Sequence, residues 1–146
     1  RGILILSAML AEEGKICSLE NIPRYGLRLS SLIENNQEWL PELREIEEKV
    51  YNDPEDELLN WDENTLIQEL DSLGLNSEIE EINYHREKIL QAAEIQRWFA
   101  MQKGSYADRM LKKGLKQETL DKLQQKIQQQ TKIKWQSKII MITVSG

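Results

Sequence analysis

His85 is the single histidine of this 146-residue chain, and it lies four residues after Glu81. On a helix that spacing puts both side chains on one face, where a carboxylate could orient the imidazole or share a metal. One His and one acid are half a site, and a Ser-His-Asp triad would have to draw on His85 and find its other members elsewhere. The simpler expectation is an imidazole bonded to its helical neighbour. Carboxylates are more abundant, in clusters at Glu45-x-Glu47-Glu48, Asp53-x-Glu55-Asp56-Glu57 and Glu78-x-Glu80-Glu81. Paired carboxylates can move protons or hold Mg²⁺ or Ca²⁺. The 53–57 cluster lacks the central Gly and the distal Glu of a calcium loop, so solvated helix faces and helix starts are expected instead.

Cys17 is the only cysteine, which excludes an intrachain disulfide and a Cys-type zinc site. No base lies near it in sequence, so the thiol reads as a small buried hydrophobe in a reducing, intracellular (cytoplasmic) compartment. No catalytic residue, metal ligand or cofactor site is assigned from these groups. The chain is expected not to be an enzyme in itself, with a fragment of an enzyme as the other reading.

Charge is divided unevenly. Residues 1–99 hold 22 of the 25 acids against 9 basic side chains, whereas residues 100–146 hold 10 Lys or Arg against 3 acids. An acidic body joined to a basic arm bears on partners rather than on fold. The arm ends in Lys132-Ile133-Lys134-Trp135-Gln136-Ser137-Lys138, where an aromatic among lysines could lie on a base while the charges meet phosphates. The same residues could cover a partner helix or a membrane surface.

The elements that would position these groups read as helices. Residues 1–11 are apolar enough to imitate a signal-peptide core, but a buried first helix over Ile3–Glu13 is expected, and no stretch reaches the ~20 apolar residues of a membrane span. A second helix should run from Leu27 towards Trp39-Leu40. A third has Pro41 in its first turn and Leu43, Ile46 and Val50 on one face. Acids after Asn52-Asp53-Pro54 start a short helix carrying Leu58, Leu59 and Trp61. Asp62 is a good N-cap for Leu66, Ile67, Leu70 and Leu73, with Gly74 at the C-terminal end. The longest helix should run from Asn76 or Ser77 to about Lys103. A short helix from Tyr106 to Lys113 and a last one from Gln117 to about Lys134 complete a helical hairpin. Only 139–144 reads as a strand, β-branched and too short for a helix. It ends in Ser-Gly, as many phosphate-binding loops begin, without the Gly-Lys-Ser/Thr that would grip phosphate.

The expected fold is therefore all-α: a multi-helix bundle with a long helix, a C-terminal helical hairpin and one short strand. Its acidic bundle (1–103) and basic arm (104–146) would form one folding unit. The core should draw on Leu4, Leu6, Leu32, Leu43, Leu66, Leu70, Ile82 and Ile89, and Trp39, Trp61 and Trp98 should anchor it. The opening Arg1-Gly2-Ile3-Leu4-Ile5-Leu6 and the ending Gly114-Leu115-Lys116-Gln117-Glu118 with Leu120 and Leu123 give a layout similar to the C-terminal helicase-binding domain of bacterial primases. That resemblance implies a helical bundle with a terminal hairpin and a role in DNA replication. Read from the residues, the function is a non-enzymatic helical module that binds another protein in a helix groove or at a sheet edge. Nucleic acid on the arm and a homodimer are the other partners considered. A helical domain preceding a nucleotide-binding domain is a further alternative. Partner contacts are expected at Leu120, Leu123, Ile127, Lys132, Lys134, Trp135, Lys138, Ile140 and Ile142.

Overall fold

The computed structural model describes residues 14–146. Among them are three strands, β1 (Lys15–Asn21), β2 (Asn76–Ile89) and β3 (Lys132–Ser145). Five α-helices accompany them: α1 (Leu40–Tyr51), α2 (Glu63–Ser72), α3 (Ala92–Phe99), α4 (Tyr106–Lys112) and α5 (Gln117–Gln128). The strands form an antiparallel sheet in the order β1-β3-β2. The protein is thus mixed α/β, which corrects the all-α bundle. The helix expected over Ile3–Glu13, with Leu4 and Leu6, lies outside the described residues.

The largest departure is β2, which occupies the first half of the expected long helix; only Ala92–Phe99 of that stretch is helical. Glu-Ile-Glu-Glu-Ile sets Ile79 and Ile82 three residues apart, a helical spacing, and Glu has little strand preference of its own. Pairing overrides that preference. β3 is rich in Ile, Val and Thr, lies in the middle of the sheet, and has buried residues alternating along its second half (Ile140, Ile142, Val144). Its lysines meet acids on β2: Lys138 Nζ lies 2.8 Å from Glu81, and Lys132 pairs with Glu87. Opposite charges across a ladder are the sheet counterpart of helical i, i+4 pairs. The strand expected at 139–144 is therefore real but longer, and it is not an orphan. Its other neighbour, β1, pairs from Lys15↔Ser145 to Asn21↔Ile139.

The described chain divides into two compact units. Among the described residues, unit 1 comprises 14–26, 55–84 and 136–146, and unit 2 comprises 27–54 and 85–135. In unit 1, Leu66 and Leu70 of α2 pack with Ile22, Ile140, Ile142 and Val144, flanked by Ile16, Tyr25, Trp61, Leu75 and Ile79. The ends of α2 follow from sequence. The Asp62 side chain accepts a 3.0 Å bond from Thr65 N, and Gly74, at φ +71°, lets Leu75 N close back on Leu70 O at 3.0 Å. No helix forms over 55–61, and Leu58 is 71% exposed there.

In unit 2, α1 begins with Pro41 in its first turn and buries Leu40, Leu43, Ile46, Glu47 and Val50. α3 packs on α4 and α5, and α1 packs on α4. The second helix expected from Leu27 is a single 3-10 turn, Leu29–Leu32. Ser30-Ser31 and Asn35-Asn36 favour turns over helix interiors, because their short polar side chains compete for the backbone. Among the expected core residues, Leu43, Leu66 and Leu70 are buried, Leu32 and Ile82 are half-buried, and Ile89 is 63% exposed on its strand. No helix among the described residues is long and apolar enough to cross a membrane.

Candidate functional site

The residues expected to contact a partner fall into different environments. Leu120, Leu123 and Ile127 are buried in unit 2, and Ile140 and Ile142 are buried in the core of unit 1. Lys132 and Lys138 are paired with Glu87 and Glu81, and the Lys138 ammonium also lies 4.3 Å from the centre of the Tyr25 ring. Trp135 stacks on Trp98 with ring centres 6.3 Å apart, under the Lys88 ammonium at 4.4 Å. Lys134 is exposed. Part of the arm's charge is therefore answered by this chain's own acids, including Asp53, which pairs with Lys113 at 2.6 Å.

His85 and Glu81 do not form a site. Both are exposed on β2, where four residues span about 13 Å instead of one helical turn, and Glu81 pairs with Lys138. Cys17 is exposed on β1, not buried. Among the described residues, no group of three His, Cys, Asp or Glu side chains could hold a metal ion.

What unit 2 does bring together is an open polar groove of about 490 Å³. One wall is the segment entering α1, with Asn36, Gln37, Glu38 and Trp39; the other is Lys122, Gln125, Lys126 and Gln129 of α5. The second wall follows from helical spacing. Leu120, Leu123 and Ile127 take the inner face, so 122, 125, 126 and 129 share the outer one. A smaller recess of about 170 Å³ continues from it, shares Gln37, Lys126 and Gln129, and adds Leu32, Ile33, Glu34 and Gln130. Gln130 Nε2 donates to Leu32 O at 2.7 Å and so ties the two walls together.

Chemically the groove combines four kinds of group, one of them the carboxylate of Glu38. Trp39 supplies an aromatic face. Asn36, Gln37, Gln125 and Gln129 supply amides that both donate and accept. Lys122 and Lys126 supply positive charge; Lys122 is paired with Glu118 at 2.5 Å, and no ion pair is recorded for Lys126 among the described residues. In sequence, the run Gln124-Gln125-Lys126-Ile127-Gln128-Gln129-Gln130 offers donors and acceptors with few apolar anchors, as one wet side of a helix does. Asn36, Gln37 and Trp39 were not legible as the facing wall, because the segment before α1 was expected to be helical.

A second polar cluster lies inside unit 2. The Glu47 side chain is fully buried on α1. Its Oε1 accepts from Ser30 N at 3.1 Å and from the Tyr106 hydroxyl at 2.7 Å, while Oε2 has no partner. Burial pushes the Glu47 carboxyl above the ordinary carboxylate range, against the lowering pull of the Ser30 hydroxyl, the Tyr106 hydroxyl, Ser30 N and Arg28. Burial and the adjacent Glu47 raise the Tyr106 hydroxyl well above its ordinary value.

No protein-family model matches the chain, and no curated protein matches it in sequence. Among solved structures it is similar to a protein from Bacillus halodurans described as "a putative methyltransferase", with a TM-score of 0.35 and 11% identity. The match covers 92% of this chain and 52% of that one, so the chain spans about half the length of the structure it matches. The helical interaction module, the primase-type helicase-binding domain and the helical domain preceding a nucleotide-binding domain are all corrected by the architecture. Each required a helical bundle, and the chain instead centres its last strand in a three-stranded sheet.

Proposed function

We propose that unit 2 binds single-stranded nucleic acid in the Trp39 groove, with a base on the indole and phosphates at Lys122 and Lys126. The observation that carries this reading is an open groove of about 490 Å³ in which Trp39, Asn36 and Gln37 on one wall face Lys122, Lys126, Gln125 and Gln129 on the other. Aromatic platforms beside cationic tracks suit single strands, because every base has a stacking face and every nucleotide a phosphate. Amides can meet the exposed base edges. Charge supports the reading too. Among the described residues, unit 2 carries 15 Lys or Arg against 12 acids, whereas unit 1 carries 3 against 11. The acidic balance of the whole chain thus belongs to unit 1.

The test is titration of a fluorescently labelled oligothymidylate with the wild type and with Trp39→Leu. Loss of one stacked base costs ~1–3 kcal/mol, about 5- to 150-fold in affinity. Equal affinity of the two proteins would remove Trp39 from the account.

A second reading is that the chain is part of a larger α/β domain. It is favoured by β1, which among the described residues pairs on one side only and leaves Leu19 61% exposed. Open apolar strand edges invite a further strand. Fast amide exchange along β1 in every longer form of the chain would count against it. An intracellular setting suits the exposed free thiol of Cys17, since free thiols persist in reducing compartments.

A further inference from the structure

We propose that Glu47 is a proton-binding site that governs how firmly the segment before α1 is held. The carboxyl joins three elements: it sits on α1, accepts from Ser30 N in the 3-10 turn Leu29–Leu32, and accepts from Tyr106 on α4. Its whole side chain is buried, yet Oε2 makes no hydrogen bond among the described residues. A buried ion with an unmatched oxygen is far more costly than a neutral acid in the same place. As the neutral acid, Glu47 keeps Oε1 as acceptor for both bonds and loses the charge, with an O–H donor at Oε2 in its place.

The charged groups around it decide the balance. From the preceding loop comes Arg28, whose guanidinium favours the carboxylate. Arg28 is also engaged elsewhere, with Nε donating to Glu48 at 2.9 Å and the guanidinium 3.7 Å above the Tyr51 ring. From α1 itself come Glu48 and Tyr51, and burial raises the Tyr51 hydroxyl. From α4 come Tyr106, a neutral donor, and Arg109, whose charge acts on Tyr51. No cation is bonded to Oε2.

The direction follows by linkage. Glu47 binds its proton more tightly folded than unfolded, so its contribution to stability is complete below the ordinary carboxylate range. That contribution is lost as pH rises through its raised folded value. Deprotonation strengthens each bond to Oε1 but leaves a charge in the interior, so opening that carries the carboxylate to water, and breaks the Ser30 bond with it, becomes less costly. The segment released is the one that supplies Asn36, Gln37, Glu38 and Trp39 to the groove. A pH effect on ligand binding rests on the groove reading; the proton site does not.

The experiment follows the Glu47 carboxyl carbon by NMR through a pH titration of the whole chain, with Ser30 amide exchange recorded alongside. The expected result is a Glu47 titration above the ordinary carboxylate range, with Ser30 exchange speeding up about tenfold or more across it after correction for intrinsic base catalysis. Glu47→Gln keeps an acceptor at Oε1 and carries no charge. Its melting temperature should be flat between pH 5 and 8 where the wild type falls by about 3 °C or more. A Glu47 carboxyl that titrates within or below the ordinary range overturns the proposal. So do Ser30 exchange that ignores that titration and a wild-type melting profile parallel to that of Glu47→Gln.

Discussion

At the residue scale, one carboxylate was legible and another was not. Asp62 precedes a clean apolar period, and its bond to Thr65 N holds its carboxyl below the ordinary range. Asp62→Ala should cost about 1 kcal/mol of stability, read by denaturant unfolding near neutral pH. Because the Asp62 value is lowered on folding, its contribution is present above the unfolded value and is lost as pH falls through the folded one. The gap between wild type and Asp62→Ala should therefore close in acid. Glu47 was read as one of three acids on a solvated face. Its spacing carried the opposite signal, since it lies four residues after Leu43 and three before Val50, on the buried stripe of α1. A lone acid in an apolar heptad is easily assigned by its type, while its neighbours assign it by position. Leu70, fully buried in the core of unit 1, should cost about 2–5 kcal/mol on replacement by Ala.

At the element scale, the helices with capping signals were legible: α1 with Pro41, α2 with Asp62 and Gly74, and α4 closed by Gly114 at φ +100°. Local chemistry fixes such ends. The strands were harder, because their stabilisation comes from partners distant in sequence. β2 spells a helical period and becomes a strand because β3 lies beside it, and β1 falls between the helices expected over Ile3–Glu13 and from Leu27, where no element was expected. The groove was half legible for the same reason. The α5 wall follows from its own period, whereas the Asn36–Trp39 wall depends on how the chain enters α1. The ion pairs between β2 and β3 give a direct check on the pairing. Glu81→Lys sets two lysines across the ladder and should cost about 0.2–1 kcal/mol. That cost should shrink in high salt, because the pair is partly exposed. A salt-independent loss of the same size would point to packing rather than charge.

At the scale of the whole molecule, the uneven charge seen along the sequence takes a different form in three dimensions. Among the described residues the acids are shared almost evenly between the two units, whereas the Lys and Arg residues gather in unit 2 and leave it basic. The central claim is that this basic unit uses Trp39, Lys122 and Lys126 to hold single-stranded nucleic acid. It is tested most directly by anisotropy titration of a labelled oligothymidylate from about 50 to about 200 mM salt, with wild type and Lys122→Gln/Lys126→Gln compared. Each phosphate neutralised on a single strand contributes about −0.7 to the slope of log affinity against log salt. The account predicts weaker binding by the double variant and a slope shallower by about 1.4, with the fold unchanged by circular dichroism. Identical affinity and identical slope in the two proteins would contradict it.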